Sequence, residues 1–190
     1  MSNQETVPEM SDGHDDATQT LKDEHRATLL KLELMERALK YLQRGPENNI
    51  PERTEVEQAL LNDLVGALER GIGLHFQKEE EALFPILAEY TGKEYGPIEV
   101  MLHEHEKIRS AFAEWKKILA AYENIGLRRE EALSVILDAG FKLIDLIRAH
   151  IGKEDQIIFR ICEAFLSEDE RKQVIKIIKK IERDPPINLP

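Results

Sequence analysis

Two stretches of the chain repeat one arrangement of side chains able to do chemistry. His75–Phe84 reads HFQKEEEALF and His150–Phe159 reads HIGKEDQIIF, so both follow the pattern H-x-x-K-E-acidic-x-x-aliphatic-F. Within each, a histidine and a glutamate stand four apart, His75 with Glu79 and His150 with Glu154. That separation stacks them one turn apart on one helix face. Two more histidines each follow a glutamate, as Glu24-His25 and Glu104-His105. Imidazole nitrogen and carboxylate oxygen together suit a hard-to-borderline divalent cation: iron, manganese, zinc or cobalt. His25, His75, Glu79, His105, His150 and Glu154 are the candidate metal ligands.

Such donors need elements that bring them together. Glycine and proline cluster at Gly45-Pro46, from Gly92 to Pro97, and at Gly126. They divide the chain into four long segments, 18–44, 54–84, 97–123 and 130–163. Each is helically periodic. The third runs Ile98, Met101, His105, Ile108, Phe112, Trp115, Leu119, Tyr122; the fourth runs Leu133, Ile136, Gly140, Leu143, Ile147, His150, Glu154, Ile157, Ile161. The first carries Leu21, His25, Leu32, Met35 and Leu39, and the second Leu61, Leu64, Leu68, Ile72, His75, Glu79 and Ala82, with one step slightly out of phase. A short fifth helix follows, opened by Ser167 with Glu170 three residues on, the capping-box pattern. The expected fold is all-α: an up-down-up-down antiparallel four-helix bundle with a short C-terminal fifth helix. The expected organisation is a disordered tail over 1–17, the bundle and its extra helix over 18–183, and a second tail over 184–190. Pro85 should end or kink the second helix.

The six candidates interrupt the apolar stripes, so they face the core. Glutamate is almost never buried unpaired, because an uncompensated carboxylate there costs several kcal/mol or changes its pKa. Counting from the expected helix ends at about 1.5 Å per residue puts all four histidines in one layer, towards one end of the bundle. The repeat also predicts a site with approximate two-fold symmetry. His103, two residues from His105, falls on another face and is expected at the surface. Glu80 and Asp155, each one position past the stripe, read first as solvated acids and second as partners for the imidazoles. Cys162 reads as a small buried hydrophobe, and Phe112 and Trp115 as core.

A net charge of −11 excludes simple electrostatic attraction to nucleic acid or an anionic membrane. No run of about 18 apolar residues is present to span a bilayer. No positive n-region and apolar h-region open the chain, so no signal peptide is expected. Cys162, the single cysteine, rules out disulfides within the chain and makes the cytoplasm the expected location.

On these motifs, over about residues 18 to 163, the chain resembles the hemerythrin-like, histidine-histidine-glutamate cation-binding family. The resemblance implies two iron ions in an oxo- or hydroxo-bridged pair. Glu79 and Glu154 would bridge them, and His25, His75, His105 and His150 would each cap one iron. Some members of that family bridge instead with a carboxylate at the position of Asp155. Oxygen-carrying hemerythrins have a fifth histidine four residues from the one on the third helix; here those places hold Met101 and Arg109. The set of four histidines and two glutamates is similar to that of di-iron proteins implicated in repairing iron–sulfur clusters, though their N-terminal cysteine module is not present in these residues. The resemblance implies a non-heme di-iron protein that binds or reacts with dioxygen or nitric oxide, in sensing, scavenging or stress response. Its pair would be near-symmetric, open on both metals, and oxidised by dioxygen instead of releasing it. The alternatives are an iron donor for damaged clusters and a non-redox bundle with structural zinc or manganese. Enzymatic status and protein partner stay open.

Overall fold

The computed structural model describes residues 16–44, 51–92, 96–125 and 129–184. Most of both expected tails, the breaks at Gly45-Pro46 and Gly126, and the side chain of Tyr122 lie outside the described residues. Among the described residues the chain is helical throughout, without strands. The elements are α1 (Ala17–Gln43), α2 (Pro51–Lys78), a π turn π1 (Glu79–Leu83), α3 (Phe84–Thr91), α4 (Pro97–Ile125), α5 (Arg129–Lys153), a second π turn π2 (Glu154–Ile158), α6 (Phe159–Phe165) and α7 (Glu168–Arg183). Since α2, π1 and α3 run on without a break, as do α5, π2 and α6, the described residues make four long rods and a short fifth.

Ion pairs between rods show their directions. Glu69 meets Lys116 while Glu80 meets Arg109, so the second and third rods run antiparallel. Glu36 meets Arg148 while His25 meets Asp155, and Glu114 meets Lys142 while Glu104 meets Lys153. The fourth rod is therefore antiparallel to both the first and the third. These registers describe an up-down-up-down bundle. Asp16 caps α1 by accepting from the Thr18 amide, and Ser167 and Glu170 form a complete capping box on α7.

Pro85 does not end the second helix, which continues to Thr91. The π turn just ahead of it, closed by the Phe84 amide donating to the Glu79 carbonyl, has already broken the regular ladder. Pro85 then falls at the start of α3, where its missing N–H is one the ladder does not need. The π turns also shift the apolar phase. Beyond Glu154 the expected stripe of Ile157 and Ile161 is displaced by one residue: Ile158 and Cys162 are buried, while Ile157 is exposed and Ile161 only partly covered. A π turn inserts one extra residue, so every later position rotates.

The core falls into two apolar clusters. One holds Leu32, Leu39, Leu68, Phe112, Trp115 and Ile147. The other holds Leu21, Leu83, Met101, Ile158, Cys162 and Ile175. On every rod the candidate ligands lie between the two. Along the larger cluster α5 passes so close to α4 that a Cβ on Gly140 would sit 2.1 Å from Trp115 Cζ3 and 2.7 Å from Leu39 Cδ1. Gly140→Ala is therefore expected to overpack this contact and to cost about 1–3 kcal/mol, which a denaturant titration would read as a lower midpoint at unchanged slope.

Candidate metal centre

All six candidates are buried: Glu79, Glu154 and His105 have no exposed surface, and His25, His75 and His150 almost none. They come from four rods to one layer. His25 Nε2, His75 Nε2 and one oxygen each of Glu79 and Glu154 lie within 4.8 Å of one another. Glu79, His105 and His150 form a second such group. Glu79 belongs to both, turning Oε1 to His75 at 3.0 Å and Oε2 to His105 at 3.2 Å. Glu154 turns a single oxygen, Oε2, to His25 at 3.2 Å, His150 at 3.5 Å and His75 at 3.9 Å. Both glutamates open a π turn, so the backbone irregularity of each long rod begins at its carboxylate.

The outward nitrogens form a ring. Each Nδ1 faces a carboxylate on a neighbouring rod: His75 faces Glu24 at 2.8 Å, His105 faces Glu80 at 2.6 Å, His150 faces Glu104 at 3.3 Å, and His25 faces Asp155 at 2.8 Å. In order, α1 orients α2, π1 orients α4, α4 orients α5, and π2 closes the circle on α1. Three of these acids are anchored in turn, Glu24 by Lys78, Glu80 by Arg109 and Glu104 by Lys153. With Nδ1–H donated outward, each Nε2 presents its lone pair to the centre.

Glu80 and Asp155 are thus not merely solvated acids; they orient His105 and His25, the second of the two roles open to them in the sequence. Glu24, Glu104, Lys78 and Lys153 belong to this outer ring, a place that sequence reasoning left unassigned. The repeat contained their signal, because Lys78 and Lys153 occupy the same place in the pattern and each meets the glutamate that precedes a lone histidine.

The interior of the cage is short of hydrogen-bond donors. Both oxygens of Glu79, both of Glu154, and Nε2 of His105 and His150 are buried without a hydrogen-bond donor. His25 Nε2 and His75 Nε2 face each other at 3.0 Å, with both Nδ1 atoms already committed to carboxylates. Acceptors facing acceptors in an apolar interior cost several kcal/mol unless a cation sits among them. The buried carboxylates draw positive charge to the centre. Burial and the charge of Glu154 raise the Glu79 pKa. Burial works against a charged His75, yet Glu79, Glu154 and Glu24 outweigh it and hold its pKa well above the usual histidine range. For Glu24, Glu80 and Glu104 burial is outweighed by the neighbouring histidines and cations, which hold them ionised below the usual carboxylate range. The donor set fits metal cations: inward imidazole lone pairs, buried carboxylates with free oxygens, and an outer ring of charged acceptors.

Aromatic rings complete the walls. Phe76 stacks on His105 with centroids 3.6 Å apart and planes at 11°, Phe84 lies 5.6 Å away, and Phe159 lies 5.4 Å from His25. Cys162 packs beneath, buried, and burial pushes its thiol up to about 12. The folded protein is therefore expected to resist iodoacetamide at mildly alkaline pH and to take one equivalent in denaturant, as mass spectrometry would show. His103 is exposed, on another face from His105.

The two-fold relation implied by the repeat holds for the ring but not for its surroundings. α7 packs its apolar face, Val174, Ile175, Ile178 and Ile181, onto the first and second rods, and its Glu182 reaches Lys78 at 2.7 Å. Lys78 is consequently 1% exposed, whereas Lys153, its counterpart in the repeat, is 44% exposed. No described helix is long and apolar enough to cross a membrane.

A family model described as "Hemerythrin HHE cation binding domain" matches residues 16–162, which span the four long rods and all six candidate ligands. No curated protein matches the chain.

Proposed function

Because the chain belongs to the hemerythrin HHE cation-binding domain family, we propose that it is a non-heme di-iron protein that reacts with dioxygen or binds nitric oxide, in sensing, scavenging or stress response, and is not an oxygen store. The observation that carries this reading is the pair of fully buried glutamates whose oxygens meet imidazole nitrogens and no hydrogen-bond donor. In this reading His25 and His75 hold one iron, His105 and His150 hold the other, and Glu79 and Glu154 are shared. A reduced iron pair supplies electrons to dioxygen and an open coordination position to nitric oxide.

The chain's own residues do the rest. The ring of Glu24, Glu80, Glu104 and Asp155 keeps every imidazole in the tautomer with an inward lone pair. Phe76, Phe84 and Phe159 exclude water and set the local dielectric, and with it the reduction potential. Arg109, in one of the places where an oxygen carrier's fifth histidine would stand, donates to Glu80 and Glu106. Met101, in the other, is buried in the apolar cluster. Neither serves as an imidazole, and the histidine that would saturate one metal is replaced on both sides. A single buried thiol suits the cytoplasm, the location we assign.

Elemental analysis of iron-loaded protein is expected to return about two irons per chain, as paired bridging carboxylates require. At most one iron after reconstitution, or zinc or manganese retained in its place, would count against the proposal. Reactivity is tested by reducing the protein, exposing it to oxygen and evacuating it while the visible spectrum is followed. The reduced spectrum is expected to return only on addition of reductant. Repeated full recovery under vacuum alone would mean reversible carriage, and the reading would have to be dropped.

A further inference from the structure

We infer that Glu182, in the last turn of α7, is a positioning residue of the metal centre, acting through Lys78 and Glu24 to strengthen the hydrogen bond that orients His75. This rests on the metal-pair reading above. The family model matches residues 16–162, so α7 lies outside it.

The contacts form one line across three helices. His75 Nδ1 donates to Glu24 Oε2 at 2.8 Å, Lys78 Nζ donates to Glu24 Oε1, and the same ammonium donates to Glu182 Oε1 at 2.7 Å. Lys78 is 1% exposed, so little water screens its charge. An ammonium that faces a single carboxylate in such a place polarises it and leaves it a weaker acceptor for any second donor. Glu182 takes a share of the ammonium's charge. Glu24 then keeps more of its own for the His75 N–H, and a more strongly held N–H makes the opposite nitrogen, Nε2, a better metal donor.

The repeat supplies the comparison. His150, Glu104 and Lys153 make the same three links, but among the described residues Lys153 meets no second carboxylate. There the histidine stands 3.3 Å from its glutamate, against 2.8 Å for His75. The place of Glu182 is also fixed from the far end of α7. Arg171 donates to the carbonyls of Cys162, Glu163 and Leu166 at the end of α6, and Tyr90 donates to Glu170 at 2.6 Å. Eleven residues beyond Arg171, about three turns, Glu182 returns to nearly the same side of the helix. With Val174, Ile175, Ile178 and Ile181 buried between them, α7 is held in one register and presents Glu182 to Lys78.

Glu182→Gln keeps the shape of the side chain and removes its charge. The probe is zinc, which leaves the protein diamagnetic, loaded into chains carrying isotope-labelled histidine. The ring Nδ1–H signals are assigned by through-bond correlation. In Glu182→Gln the His75 signal is expected to move upfield, as a weaker hydrogen bond requires, while that of His150 stays in place. Zinc affinity, read by competition with a chelator, should fall about three- to tenfold, less than the loss of about 10–100-fold that follows removal of a ligand's direct partner. In a Lys78→Met background, Glu182→Gln should change neither quantity further, because the route runs through Lys78. An unmoved His75 signal, an unchanged affinity, equal movement of the His75 and His150 signals, or the same loss of affinity with Lys78 already replaced would each overturn the inference. Wild-type ring signals that zinc leaves unaltered would instead overturn the metal-pair reading, and the inference with it. Far-UV circular dichroism establishes that each variant is folded.

Discussion

Replacing His105 by alanine is expected to remove the stabilisation that metal loading confers, whereas replacing His103, two residues away, should leave it intact. His105 is buried with its Nε2 at 3.2 Å from Glu79, while His103 is exposed. A ligand present at about 1,000 times its dissociation constant stabilises the folded state by about 4 kcal/mol, through mass action alone. For a chain of this size that is about 8–16 °C in melting temperature. His105→Ala also leaves a cavity between Phe76 and Phe84, which lowers stability whether or not metal is bound. The informative quantity is therefore the gap between loaded and chelated melting temperatures, measured for each variant by calorimetry. The gap should shrink to a small remainder in His105→Ala and match the wild type in His103→Ala. Equal gaps in the two would show that the wrong face of α4 had been assigned to the centre.

The second large effect is expected at Lys78, outside the set of ligands. Its ammonium is sealed beneath α7 between Glu24 and Glu182. Removing one partner of a buried pair strands the other and costs about 3–5 kcal/mol. Glu24 keeps some contact with water, 31% of its side chain, so Lys78→Met should fall near the lower end, about 3 kcal/mol. The equivalent change at Lys153 is the control. Lys153 pairs with Glu104, 16% exposed, but is itself 44% exposed, so water reaches its end of the pair and its loss should cost less, about 1 kcal/mol. Chemical denaturation of the two variants should separate them clearly. Similar losses would mean that the cover of α7 over Lys78 does not set the strength of its ion pairs. Lys78→Met should also weaken metal binding, since Glu24 loses the cation that holds it against His75.

The rods were legible in the sequence because periodicity reports burial wherever the helix is regular. Ile98, Met101, Ile108, Phe112 and Trp115 are buried as their spacing implies. Past Glu154 the same rule placed Ile157 inside, and the fold places Ile158 there. A π turn need leave no mark in a hydrophobic pattern: the slight offset in the second segment, from Leu64 to Ile72, lies ahead of the turn in regular helix. Pro85 does not end the second rod because its cost depends on the ladder ahead of it, and that ladder is already interrupted.

What the sequence determined by itself was the composition of the inner cage. Histidine and glutamate on apolar faces, repeated at one spacing, allow few physical readings, since each would be costly to bury alone. What only the tertiary structure decided was which groups stand behind them and which of the two equivalent lysines is covered. Glu24, Glu80, Glu104 and Asp155 lie next in sequence to a ligand on their own rod, yet each serves a histidine on another rod. Lys78 and Lys153 have the same local sequence context and differ only because α7 lies over one of them. Contacts between rods depend on the register and rotation of separate helices. A one-dimensional pattern has no term for either, so the ring of carboxylates and the break in two-fold symmetry become definite only once the helices have packed.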